Sequence, residues 1–186
     1  QGMERIRNRN NNILTIVDFT KPSTEERLYI IDLDKEQVLV SSYVAHGMRT
    51  GDLYAKYFSN RKGTLKSSDG FFLTGESYKG KNGFSLRLYG LEHGRNNNAY
   101  ERTLVIHAAR YAEQSFINRY GRLGRSRGCL AVPRSENGKI IEYIQGGSVC
   151  YVHSEGLKYE DYAFLNFTVA DTHKKPKDVE EIEKLE

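Results

Sequence analysis

Short apolar runs, rich in β-branched and aromatic residues, alternate with polar turns along most of the chain. Runs of this length, separated by glycine, proline, asparagine and aspartate, are typical of β-strands. The pattern predicts seven strands, at 13–19, 28–33, 37–46, 71–76, 84–89, 103–107 and 148–153. The spacing of the first runs favours antiparallel pairing, so we expect a mainly-β domain.

Helical periodicity is confined to two segments in the second half of the chain. Three apolar residues recur at helical spacing within 108–120, which predicts one helix there. A second helix is predicted at 135–144, with Ser135 in the N-cap position. These helices flank the stretch 121–133, GRLGRSRGCLAVP, which is too rich in glycine to be helical.

The two ends of the chain differ in composition from its middle. Residues 1–12 are rich in asparagine and arginine and predict a flexible arm, and 171–186 predict a polar tail. One domain is left over 13–170. The first three and the last two residues resemble cloning remnants, so we expect that a signal peptide has been removed.

Composition describes an ordinary globular chain. Its 186 residues are 38% hydrophobic and 28% charged, with a formal net charge of +4 at pH 7. A charge this small does not indicate a nucleic-acid partner. No apolar run reaches the ~20 residues that a membrane-spanning helix needs, so no transmembrane segment is expected.

A cysteine in the glycine-rich loop carries the candidate chemistry. Cys129 follows Gly128 and lies near Arg125 and Arg127, and a predicted strand upstream ends on His107. An imidazole, nearby cations and oriented backbone N–H groups each make a thiol a better nucleophile. The amides of Gly128 and Cys129 are candidates for an oxyanion hole. The residues alone leave open that Cys129 is a packing residue and His107 an ordinary strand-end histidine.

Metal ions and cofactors are not expected. The chain has no His-Glu-x-x-His motif, no Cys-x-x-Cys pair and no phosphate-binding glycine loop. The second cysteine, Cys150, lies in an apolar strand and is predicted to be buried. A disulfide between Cys129 and Cys150 stays open as a minor alternative.

The order His107, a helix, then Ser126-Arg127-Gly128-Cys129 resembles the catalytic motif of YkuD-type L,D-transpeptidases. Eighteen residues separate His107 from Ser126, slightly more than is usual in that family. The stretches TIVDFTKPS, RLYIIDL, GFFLTGESYKGKNGFSLRLYGLE and YGRLGRSRGCLAVP are similar to its murein-transpeptidase subgroup. The resemblance implies a β-sandwich-like fold, with two helices flanking the nucleophile loop, and a catalytic domain over 13–170.

A cysteine acyltransferase that cross-links peptidoglycan stem peptides is the activity that this resemblance implies. Cys129 takes the place of the nucleophile and His107 that of the base, while the carbonyl of Ala108 orients the imidazole. The part of the motif that positions the thiol and the oxyanion covers Ser126, Arg127 and Gly128.

Three residues depart from the common motif. Arg127 stands in place of a histidine, Ala131 in place of an asparagine and Ala108 in place of a glycine. This variant resembles a subclass whose members join stems through the first residue rather than the third. Both a 3→3 and a 1→3 linkage are therefore left open.

Other residues are candidates for substrate binding near the site. Arg125 is a candidate for a substrate carboxylate, and the cleft wall or lid has four further candidates: His46, Tyr78, Tyr89 and His93. The expected partners are donor and acceptor stem peptides, bound by a monomer in the periplasm or cell envelope. Two alternatives share these residues: a peptidoglycan hydrolase (L,D-carboxypeptidase, endopeptidase or amidase) and a non-catalytic wall-binding module.

Overall fold

The computed structural model of the protein describes residues 12–80 and 83–157. The predicted arm before residue 12, the predicted domain end at 170 and the predicted tail lie outside the described residues. The chain divides into two compact units, residues 1–155 and 156–186. The strands and helices that the structure describes belong to the first unit.

Eight strands form one mixed sheet in the described part of the chain, which confirms the predicted mainly-β class. They are β1 (Ile13–Asp18), β2 (Leu28–Asp32), β3 (Gln37–Ser42), β4 (Gly70–Gly80), β5 (Gly83–Gly90), β6 (Val105–Ala108), β7 (Leu130–Val132) and β8 (Val149–His153). Their order across the sheet is β3-β2-β1-β8-β4-β5-β6-β7. The β1–β8 and β6–β7 pairs are parallel, and the other neighbours are antiparallel.

Two α-helices flank the loop that contains Cys129. The first, α1 (Gln114–Tyr120), ends at Gly121, whose φ of 71° is the left-handed conformation that closes many helices. The single helix predicted over 108–120 is wrong in its first half. Ala108 belongs to β6, a short 3-10 turn follows, and Glu113 has extended backbone with φ −82° and ψ 152°.

The second helix, α2 (Arg134–Ile144), confirms the prediction at 135–144 to within one residue. Its N-cap position is Pro133, so the prediction that Ser135 caps the helix is wrong. The proline ring holds φ at −55° and presets the direction in which the chain enters the helix. In the described part of the chain no helix is both long enough and apolar enough to cross a membrane.

The hydrophobic core lies between the sheet and the apolar face of α2. Strands alternate between this face and the opposite one, because successive side chains of a strand point to opposite sides. In β2, Leu28 and Ile30 are fully buried while Tyr29 and Ile31 are half-buried. Ile140 and Ile144 of α2 are fully buried in the same core.

Strand β7 is short and was not predicted, yet it fixes the position of the cysteine loop. It pairs with β6 on one side. On its other side Ala45 exchanges two backbone hydrogen bonds with Ala131, with N···O distances of 2.8 and 3.2 Å. Residues 43–47, which continue from β3, therefore reach β7 and bring the two edges of the sheet together. The cysteine loop is held between β6 and this segment.

Candidate active site

The register of β6 and β7 brings Cys129 close to His107. Ile106 lies opposite Leu130, and His107 lies opposite Ala131. Cys129 immediately precedes Leu130, so it lies two residues before Ala131, the residue opposite His107. With strands about 4.8 Å apart and a rise of about 3.3 Å per residue, the Cα atoms of such diagonal neighbours are roughly 8 Å apart, a separation that two side chains can span.

The imidazole of His107 is held by the backbone of the next residue. Its Nδ1–H donates a hydrogen bond to the carbonyl oxygen of Ala108 at 3.0 Å. This bond fixes the ring and assigns the proton to Nδ1, which leaves the lone pair of Nε2 free to accept a proton. His107 is 6% exposed, so it is sheltered from bulk water at the edge of the site.

Ser126 closes the turn that carries the cysteine. Its hydroxyl oxygen accepts a hydrogen bond from the amide of Gly128 at 3.0 Å and donates one to the carbonyl oxygen of Cys129 at 2.6 Å. The amide of Ser126 in turn donates to the carbonyl oxygen of His46 at 2.8 Å. Ser126 therefore fixes the conformation of the loop on both sides of the thiol.

Gly128 lies so close to a second loop that no side chain fits. Its φ is 129°, and a Cβ atom there would lie 2.8 Å from the carbonyl oxygen of Lys66. Ser67 donates a hydrogen bond to the carbonyl of Gly128 at 3.0 Å and accepts one from the amide of Gly47 at 3.0 Å. Residues 47–67 thus form a rigid backing for the cysteine loop.

The thiol of Cys129 is half-buried and points at backbone groups. Its S–H donates to the carbonyl oxygen of Thr103, with a distance of 3.5 Å from Sγ to O. Thr103 has a φ of 54°, which is rare for a β-branched residue and often marks functional sites. Burial raises the pKa of the thiol, while the amide of Val105 and the charge of Arg102 act in the opposite direction.

Arg102 is the cation whose charge reaches the thiol, and it is fixed by the same loop that backs Gly128. Its guanidinium donates to the carbonyl of Lys66 at 2.6 Å and to the hydroxyl of Ser68 at 2.5 Å, and it also bonds the carbonyl of Ser59. The carbonyl of Lys66 therefore contacts both Gly128 and Arg102. Burial lowers the pKa of Arg102, and the neighbouring Cys129 raises it.

Tyr111 lies beside both halves of the site. Burial, with a smaller contribution from the charge of Cys129, raises the pKa of Tyr111 to about 12, so its hydroxyl stays protonated. Tyr111 and His107 also line one cleft of about 590 Å³. The amide of Gly124 donates to the carbonyl of Tyr111 at 2.7 Å and ties this residue to the cysteine loop.

A family model described as the L,D-transpeptidase catalytic domain matches residues 1–153 of the chain. The chain belongs to this L,D-transpeptidase family. The resemblance of its motif to that family is thereby confirmed. Comparison with curated protein sequences found no match.

Comparison with solved structures found matches at low sequence identity. A variant of the helical cell shape determining protein Pgp2 from Campylobacter jejuni is 16% identical, with a TM-score of 0.51 over 78% of this chain and 48% of that chain. An L,D-transpeptidase from Mycobacterium smegmatis is 12% identical, with a TM-score of 0.47 over 77% of this chain and 59% of that chain. One from Stackebrandtia nassauensis is 10% identical, with a TM-score of 0.45 over 83% of this chain and 61% of that chain. The chain thus spans about half to three fifths of these structures.

The two predicted loop arginines of this L,D-transpeptidase domain have different surroundings. Arg125 pairs with Asp52 at 2.8 Å and also bonds the carbonyl of Gly51 at 3.4 Å, so its charge is largely engaged. Arg127 is exposed. The cation that lowers the pKa of the thiol against the effect of burial is Arg102. The substrate and catalytic roles of Arg125 and Arg127 stay predictions.

His46 lies behind the cysteine loop, not on its open side. It is 1% exposed, and Arg27 donates a hydrogen bond from Nη2 to its Nδ1 at 2.9 Å. Burial, followed by the positive charge of Arg27, lowers the pKa of His46 to about 4, so the imidazole is neutral. Because its backbone carbonyl holds Ser126, the geometry favours His46 as a support for the loop.

The predicted cleft tyrosines belong to a stack of aromatic rings around Arg87. The guanidinium carbon of Arg87 lies 4.6 Å from the ring centre of Tyr78 and 5.4 Å from that of Tyr100, which stacks on Tyr89 at 5.2 Å. Tyr78 pairs with Ser85, and Ser85 pairs with His107. The stack therefore lies on the sheet beside β6. His93 is exposed in the turn after β5.

Both cysteines are free thiols. Cys150 is fully buried in β8, and burial raises its pKa to about 12, which keeps it unreactive. Among the described residues no cluster of three or more histidine, cysteine, aspartate or glutamate side chains is arranged to hold a metal ion.

Sequence reasoning missed Arg102, Thr103, Ser67 and Tyr111. Arg102 and Thr103 close a polar turn with no recognisable motif, and Ser67 meets Gly128 from a loop 61 positions away in the chain. Only Tyr111 carried a usable signal, since it follows the predicted base by four positions and precedes the loop.

Proposed function

We propose that this domain is a cysteine L,D-transpeptidase that joins peptidoglycan stem peptides through a thioester on Cys129. The position of Cys129, directly before β7 and diagonal to His107 on the paired strand β6, carries the proposal. The hydrogen bond from His107 to the carbonyl of Ala108 supports it, because it leaves Nε2 unprotonated for the role of base. The proposed setting is the cell envelope, with stem peptides as both donor and acceptor.

The first half of the reaction forms the acyl-enzyme. The thiol rotates from the carbonyl of Thr103 toward His107 and transfers its proton to Nε2. The thiolate then attacks the donor carbonyl that follows an L-configured centre, and a C–S bond forms. When the intermediate collapses, the C–N bond breaks and the leaving amine takes the proton from Nε2 of His107.

The second half transfers the acyl group to a new amine. An amine of a neighbouring stem attacks the thioester and loses a proton to His107. The C–S bond then breaks, and the sulfur leaves with that proton, which restores the thiol and the neutral imidazole. With water in place of the amine, the same site would release a trimmed stem as a hydrolase.

Charge develops twice in this reaction, on the sulfur and on the carbonyl oxygen. The amide of Val105 and the guanidinium of Arg102 favour the thiolate. The amide of Gly128 already donates to Ser126, so the amide of Cys129 is the better candidate for the oxyanion. Donors aimed at developing charge make the largest single contribution in many acyl-transfer enzymes.

We propose that two departures from the common motif determine the type of cross-link. Ala131 is fully buried between His107 and Ala45, and its side chain is smaller than the asparagine of the common motif. Arg127 adds an exposed positive charge beside the thiol. We propose that these residues favour a 1→3 linkage over a 3→3 linkage, with the stem's first residue as donor.

The proposal is tested by incubating the protein with sacculi and analysing the digested muropeptides by mass spectrometry. New cross-linked dimers are expected from the wild type and from Cys150→Ala, and none from Cys129→Ala. Trimmed stems without dimers would assign hydrolysis instead of transfer. Dimers formed by Cys129→Ala would contradict the mechanism, and an inert wild type would favour a binding module.

A further inference from the structure

A cleft of about 590 Å³ is lined in part by His107. Its lining consists of backbone and side chains from β5, β6, the turn after β6 and the start of α2: Gly83, His107, Ala108, Ala109, Arg110, Tyr111 and Arg134. Two arginines line this space, and none of the described residues that line it is acidic. The lining alone therefore favours a negatively charged ligand group.

Neither arginine is neutralised by a partner within the described residues. Arg110 and Arg134 are both exposed, and neither guanidinium forms an ion pair in the described part of the chain. The carboxylate of Glu113 accepts a hydrogen bond from the backbone amide of Arg134 at 2.8 Å and not from its guanidinium. By contrast, Arg122 and Arg125 share Asp52. The cleft beside His107 thus keeps two charges available to a ligand.

The position of the cleft identifies which group of the substrate enters it. In the proposed reaction His107 protonates the leaving amine, so the residue that carries this amine must extend past the imidazole. In an α-amino acid a single carbon separates the amine from the carboxyl group. A carboxylate on that carbon therefore lies close to His107, in the region of the cleft that Arg110 and Arg134 also line.

We infer that Arg110 and Arg134 bind the α-carboxylate of the residue whose amine leaves. In the second half of the reaction they bind the carboxylate next to the acceptor amine. This inference rests on the proposed function, since it names the substrate group that the same site recognises. A planar guanidinium suits a carboxylate because it donates two parallel hydrogen bonds. The pair makes the enzyme selective for amines that carry a neighbouring carboxylate.

A first experiment tests the charge of the cleft without any peptide. Cys129 is alkylated at low salt with iodoacetate, which carries a carboxylate, or with neutral iodoacetamide, and the two rates are measured by mass spectrometry. The ratio of the iodoacetate rate to the iodoacetamide rate is expected to fall about threefold to tenfold in the double variant Arg110→Gln/Arg134→Gln. Arg119→Gln, which removes an exposed arginine of α1 outside the cleft, is the matched control and should keep the wild-type ratio.

An unchanged ratio in the double variant would overturn the inference even if the protein proves to be a transpeptidase. A lower ratio supports it even if no transfer is found, because alkylation does not require turnover. The variants Arg110→Lys and Arg134→Lys keep the charge and are expected to recover most of the ratio. They also guard against a general disturbance of the site by the glutamine substitutions.

A second experiment measures selectivity with donor peptides. Two peptides are compared, one with a free carboxylate on the leaving residue and one with the corresponding primary amide. The wild type is expected to prefer the free carboxylate by about tenfold in kcat/KM, and the double glutamine variant to lose this preference. Equal use of both peptides by the wild type would contradict the inference, while leaving the cysteine mechanism intact.

Discussion

Replacing Ser126 with alanine removes the side chain that fixes the turn around the thiol. The hydroxyl of Ser126 holds two backbone groups at once, the amide of Gly128 at 3.0 Å and the carbonyl of Cys129 at 2.6 Å. Ser126 is 5% exposed, so water cannot easily replace it. Alanine would leave both backbone groups without their partner next to the nucleophile.

The expected loss follows from these two bonds. A buried donor or acceptor left without a partner costs about 1–3 kcal/mol. Because Ser126 is the partner of two such groups, we expect Ser126→Ala to lower the free energy of unfolding by about 3 kcal/mol. We also expect acylation of Cys129 to slow by tenfold or more, because small displacements of a nucleophile have large effects on rate.

Urea unfolding followed by circular dichroism measures the first effect, and the rate of acyl-adduct formation measures the second. Ser126→Thr keeps the hydroxyl and is expected to retain most of both. Ser41→Ala is the matched control, because the hydroxyl of Ser41 bonds the exposed carboxylate of Glu26 and no backbone group within the described residues. If Ser126→Ala is as mild as Ser41→Ala, the claim that Ser126 organises the loop is refuted.

Three further substitutions test other parts of the site. Gly128→Ala is expected to destabilise the protein by about 2 kcal/mol or more in urea unfolding, because its φ of 129° and the Lys66 carbonyl exclude a side chain. Arg102→Gln should move the pH dependence of Cys129 alkylation to higher pH, since a cation that favours the thiolate is lost; Arg119→Gln should not. In the wild type, the unfolded imidazole of His46 takes up a proton between pH 6.5 and 4 while the folded one does not. This uptake lowers the stability of the wild type by about 3 kcal/mol as the pH falls from 6.5 to 4. His46→Gln should lack this loss, as measured by urea unfolding at each pH.

The main features of the fold could be predicted from the sequence because they depend on local patterns. Alternating apolar runs located seven of the eight strands, and helical periodicity located α2. The proposed pairing of His107 with Cys129 rests on their order in the chain and on the resemblance of that order to the family motif, and it stays a prediction. The helix predicted from residue 108 was wrong because pairing of Ala108 with Val132 in the sheet prevailed over its helical propensity.

The remaining features of the site depend on contacts between distant segments. β7 has three residues, too few to show an alternating pattern. Arg102 acts on the thiol because loop residues 59–68 hold its guanidinium, and Ser67 reaches Gly128 only once the sheet has formed. No local signal distinguishes Arg102 from the loop arginines Arg125 and Arg127, which the sequence made the more obvious candidates.

The central claim is that Cys129 becomes acylated with the help of His107. The most direct measurement is the mass of the protein after brief incubation with a donor stem peptide and quenching in acid, followed by peptide mapping. The account predicts an added acyl fragment on Cys129 in the wild type and in Cys150→Ala, with a much slower appearance in His107→Ala. An adduct on another residue, or transfer activity that persists in Cys129→Ala, would contradict it.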